Sequence, residues 1–82
     1  MPEEQDILEV LEAQMEAIAN TVSNLQGLVA KTARIQSDLA AARLDAHAEA
    51  VGGSFSALSD AAEALEETRH DLEIERNRRR NG

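Results

Sequence analysis

The chain has no cysteine, tryptophan or tyrosine; Phe55 is its one aromatic residue and Pro2 its one proline. Without cysteine there is no disulfide staple and no thiolate metal site. A unit of 82 residues and 8.9 kDa sits near the size at which one core holds a fold alone, so it needs very regular helix packing or oligomerisation. The missing cysteines also fit a reducing compartment, and the expected location is cytoplasmic unless the chain belongs to a virion. No apolar run approaches the ~18 residues that cross a bilayer, and no charged–apolar–small leader opens the chain; the expectation is a soluble, unprocessed protein with no membrane contact.

Basic residues are scarce too. Eight Lys and Arg stand against sixteen Asp and Glu, a formal net charge of −8, which excludes nucleic-acid or anionic-lipid binding through the whole surface. The charges are also segregated. Residues 1–16 hold six acids and no base, residues 17–30 hold no charge, and residues 76–80 hold four arginines and no acid. That polarity predicts different contact surfaces at the two ends.

What is abundant is Ala, Leu, Glu, Gln and Arg, all strong helix formers. Pro2 suits a first helical turn, and Glu3, Glu4 and Asp6 complement the positive end of the helix dipole. From there Leu8, Leu11, Met15, Ile18, Val22, Leu25, Val29 and Thr32 recur at alternating spacings of three and four. More than three unbroken heptads specify a coiled-coil seam rather than a generic amphipathic helix. A second stripe, Leu28, Thr32, Ile35, Leu39, Ala42 and Ala46, keeps the spacing on a neighbouring face.

Gly52–Gly53 form the only strong break: two glycines inside a helix cost ~2 kcal/mol relative to alanine, whereas one in left-handed geometry caps a helix. Ser54 is then an N-cap, and Phe55, Leu58, Ala62, Leu65, Arg69, Leu72 and Arg76 mark a second helix over 54–78. Folding at 52–53 sets Phe55 opposite Ala50, Leu58 opposite Ala46, Leu65 opposite Leu39 and Leu72 opposite Thr32. Leu28, Ile35, Leu39, Phe55, Leu58, Leu65 and Leu72 become the hairpin core.

The expected fold is therefore all-α. A long helix over 3–51 meets a shorter antiparallel helix, while residues 3–27 project as a coiled-coil arm of ~36 Å. Such an arm exposes the ridge Leu8, Leu11, Met15, Ile18, Val22, Leu25 and Val29, which copies of the chain or a partner's groove must cover. Apolar residues beside the seam (Ile7, Leu28, Ile35) and few flanking charges favour a trimer. Two rivals remain: one continuous helical rod, or a three-helix bundle broken at residues 20–24 with Ser23 and Gln26 as a capping box.

No constellation for catalysis emerges. His47 and His70 read as solvated helix residues rather than metal ligands. Ser54, Ser56 and Ser59 have no base beside them, and Gly52–Gly53 lack the Lys and Ser/Thr of a phosphate loop. Arg69 is expected to reach Asp38 or Glu66. The tail of Arg76, Arg78, Arg79 and Arg80 reads either as favourable charge at a helix C-terminus or as a basic foot for an acidic surface.

The expectation is a non-enzymatic structural protein with no cofactor and no small-molecule substrate. It would be a homo-oligomer attached to a larger protein assembly, and nucleic acid would touch only the arginine tail. The Lys-poor, Ala/Arg/Glu-rich usage suggests a bacterial or phage source, with virion cement, adaptor or scaffold as the concrete setting. A small dimeric nucleic-acid- or protein-binding regulator and a chaperone- or antitoxin-like partner are the alternatives.

Overall fold

The computed structural model describes residues 2–81, residue 2 by its backbone alone. Gly82, the last residue of the arginine tail, and Met1 lie outside the described residues. Two helices make up the fold, α1 (Pro2–Ala41) and α2 (Asp45–Asn81), paired antiparallel as a hairpin measuring 63 × 14 × 14 Å. The all-helical hairpin agrees with the heptad reading; the position of its turn does not.

The chain reverses at Ala42–Leu44. Arg43 takes a left-handed φ of 66°. Its N–H donates to the Ala40 carbonyl at 3.1 Å, and the Leu44 N–H donates to the Leu39 carbonyl at 2.9 Å. That pair of bonds is the Schellman C-cap, here with arginine where glycine is usual. Gly52 and Gly53 lie inside α2 without positive φ, so they are not the turn, and Ser54 is an interior helical residue rather than an N-cap.

Energetics explain the choice. Two helical glycines and one left-handed arginine together cost about 3 kcal/mol. Turning at 43 makes the helices 40 and 37 residues long, so α2 reaches back to the start of α1. Six ridge side chains, Leu8 to Leu25, that a turn at 52 would leave bare are thereby half-buried or buried. At ~1.5–3 kcal/mol for each full burial, even partial cover of six outweighs that cost. The projecting arm is thus replaced by a full-length hairpin. Neither rival fold is adopted. α1 runs unbroken through residues 20–24, where the Thr21 hydroxyl donates to the Ala17 carbonyl at 2.8 Å.

On α1 the seam comprises Leu8, Leu11, Met15, Ile18, Val22, Leu25, Val29, Thr32, Gln36 and Leu39. On α2 it comprises Ala48, Val51, Phe55, Leu58, Ala62, Leu65, Arg69, Leu72, Arg76 and Arg79, again spaced three and four. Register is fixed by Gln36 against Gly52, where an added Cβ would meet the amide nitrogen at 2.8 Å, and by Glu4 against Arg79 at 3.2 Å. Phe55 therefore stands near the level of Thr32 and Leu72 near Met15, rather than Ala50 and Thr32. Leu39 and Ala48 are nine residues apart, which at 100° per residue puts the two stripes on opposite sides of any uninterrupted helix.

Candidate helix–helix interface

A two-helix hairpin has one seam and four flanks, and the seam encloses little. Among the described residues only Val22 (4% exposed) and Ala48 (6%) are buried. The ridge Leu8, Leu11, Met15, Ile18, Leu25 and Val29, expected to meet another chain, instead lines this intramolecular seam half-buried, with Val22 at its centre. Of the expected hairpin core, Leu39, Phe55, Leu58, Leu65 and Leu72 sit at the seam. Leu28 and Ile35 do not; they are 47% and 51% exposed. Of the second stripe, Thr32 and Leu39 belong to the seam, while Leu28 and Ile35 form an outward row.

The two flanks beside the seam differ in chemistry. Residues that follow a seam position lie on one side: Glu12 meets Arg80 at 2.7 Å, and Gln26 and Glu66 border the same open groove of about 420 Å³ with Val22, Ala62, Glu63 and Glu67. Residues that precede a seam position must lie on the opposite side of both helices. There α1 presents Ile7, Leu28 and Ile35, with Val10 one turn further out, and α2 presents Ser54, Ala61 and Thr68, with Ala57 and Ala64 beyond. Ile7, Val10, Leu28 and Ile35 are four of the six large apolar side chains left exposed; Leu44 is at the turn and Ile74 on the back of α2. The first flank carries charge along most of its length; the second carries Lys31 and Asp38 toward the turn and Asp71, Glu75 and Arg78 toward the open end, and is uncharged between them.

At the open end of the hairpin the arginine tail is engaged rather than free. Arg79 bridges Glu4 on α1 (3.2 Å) and Glu75 on its own helix (2.9 Å). Arg80 reaches Glu12, Arg78 pairs with Glu75, and Arg76 donates to the Asn77 side chain. The hydrogen bond from Arg78, then that from Arg79, holds the Glu75 carboxyl below the usual carboxylate range. Glu4 and then Glu75 hold the Arg79 guanidinium above its ordinary value. Arg69 pairs with Glu66 (3.1 Å) and Glu73 (3.5 Å), and its guanidinium is also raised, chiefly by the hydrogen bond to Glu66. Asp38 is exposed near the turn, away from Arg69, and takes no part. The acidic start and basic finish of the chain are therefore two halves of one clasp, a pairing that their segregation implies but that a turn at 52–53 would forbid.

His47, His70, Ser54 and Ser56 are exposed on α2, and Ser59 is half-exposed. Among the described residues no three His, Cys, Asp or Glu converge at metal-ligand spacing, and no helix is long and apolar enough to cross a membrane. The groove beside Val22 is lined by three glutamates with Gln26 and Ala62, and among the described residues no serine, histidine or lysine borders it. No protein-family model, curated protein or solved structure matches the chain.

Proposed function

We propose that this chain is a non-enzymatic structural or assembly protein that works by packing helices against helices, with a small phage virion component (cement, adaptor or scaffold) as its setting. The setting rests on composition alone. The mode of action has firmer support. A bare ridge on a projecting arm is no ground for it, because α2 covers that ridge.

In its place stands the accessible surface of the hairpin, 5939 Å². A compact monomer of 8.9 kDa exposes about 4,800 Å² by the usual mass scaling. The surplus, about 1,100 Å², is of the order that one partner contributes to a standard interface, ~800 Å². That surplus is the observation that carries the proposal.

The regulator alternative loses support, since Arg78, Arg79 and Arg80 are each paired with a carboxylate and the adjoining end of α1 is acidic. Fractionating the producing cells on a density gradient tests the assembly role. The chain should travel in fixed ratio with a particle much larger than itself. Recovery solely at low mass would overturn it.

A further inference from the structure

The flank that carries Ile7, Leu28 and Ile35 has a size, a shape and a charge pattern, and together they specify an occupant. We infer that a second copy of this chain covers it, flank to flank, with both turns at the same end, as an up-down-up-down four-helix bundle. This rests on the assembly reading above and names its first partner.

The extent fits: a hairpin face of 63 by 14 Å spans about 900 Å², close to the ~800 Å² each side contributes to a standard interface. Shape fits as well. α1 supplies large side chains and α2 small ones, so a two-fold axis along the bundle sets Leu28 of each copy against Ala57 and Ala61 of the other, where alanine lets the backbones approach.

The segregated charges of the two ends favour one orientation. A chain at −8 repels its own copy, but on this flank the residues between 14 and 28 and between 54 and 68 are uncharged; the acids Asp60, Glu63 and Glu67 point elsewhere. With turns together, Arg78, whose side chain is 74% exposed, meets the acidic start of the partner's α1. With turns at opposite ends the arginine tail would instead lie beside the partner's α2 near residues 48–53, away from the acidic start of α1. The trimer expected from the sequence applied to a bare α1 ridge, which α2 now occupies.

Sedimentation equilibrium of the full chain at tens of micromolar should give twice 8.9 kDa. Leu28→Lys with Ile35→Lys should halve that mass while far-ultraviolet dichroism stays helical. A monomeric parent chain overturns the inference, as does a helical double variant that keeps the doubled mass. The chain has no cysteine, so single-cysteine variants can be mixed. Leu28→Cys with Ala61→Cys should oxidise to a heterodisulfide, whereas crosslinking of Leu28→Cys with Gln14→Cys would mean turns at opposite ends and overturn the arrangement. A monomer that still travels with a large particle removes the pairing and leaves the assembly role; a dimer found solely at low mass does the reverse.

Discussion

The two ends of the hairpin are held by different forces. Toward the turn, Thr32, Leu39, Ala48, Val51, Phe55 and Leu58, with Gln36 among them against Gly52, make a largely apolar seam without charge. Toward the open end, Leu8, Leu11 and Ile18 lie at the levels of Arg79, Arg76 and Arg69, so aliphatic side chains on one helix meet guanidinium stems on the other. Burial that depends on apolar contact is insensitive to salt and acid, whereas a clasp of carboxylates and arginines is sensitive to both. One continuous seam is thus divided into a firm half and a conditional half, with Val22 at the border.

The largest expected effect comes from attacking that border. Val22→Asp would place an unpaired carboxylate at a buried position and should cost roughly 3 kcal/mol, read as loss of helical dichroism and of the cooperative thermal transition. Next come the backbone positions of the firm half, where the sign of the change is diagnostic. Arg43→Gly should stabilise by about 1 kcal/mol because it relieves a left-handed arginine; in a chain turning at Gly52–Gly53, residue 43 would be helical and the same change would destabilise. Gly53→Ala has open space for its Cβ and should raise stability by about 1 kcal/mol, where a turn glycine would lose by it. Chemical denaturation midpoints report both.

Smaller effects belong to the conditional half. In 1 M salt the Debye length is ~3 Å, and amide exchange should quicken at residues 4–12 and 72–80 while residues 32–58 stay protected. Acid should act the same way. The Glu75 carboxyl is lowered in the folded state, so its contribution is complete above the ordinary carboxylate range and is lost as the pH falls through its lowered value. The open end should loosen first on acidification, and Glu75→Gln should remove that dependence on pH. Uniform exchange along both helices would erase the distinction between the halves.

Much of the fold is legible in the residues. Heptad spacing alone identifies both seams, because three–four alternation sustained over Leu8 to Thr32 and Phe55 to Arg76 is the mark of helices packed along their length. The turn is not legible by composition: Ala40, Ala41, Ala42 and Arg43 are all good helix formers, whereas Gly52–Gly53 are strong breakers whose cost is overridden by seam burial. A phase signal is nevertheless present. Val51 lies four residues before Phe55 and Ala48 three before that, so the second stripe begins ahead of the glycines and its helix must too. A turn at 52–53 puts Leu28 and Ile35 in the hairpin core because it leaves them as the sole face available to α2. Once α2 extends to Asn81 they are released to the outside, where they form the candidate interface.

The nine-residue step from Leu39 to Ala48 governs what happens when the hairpin opens. A straightened chain would carry one greasy stripe on its front and another on its back, each able to capture a different neighbour. Such a rod is a link that propagates into fibres instead of closing into a finite object. The single left-handed residue at position 43 therefore does more than reverse direction: it turns a chain with two adhesive sides into one that satisfies both by itself.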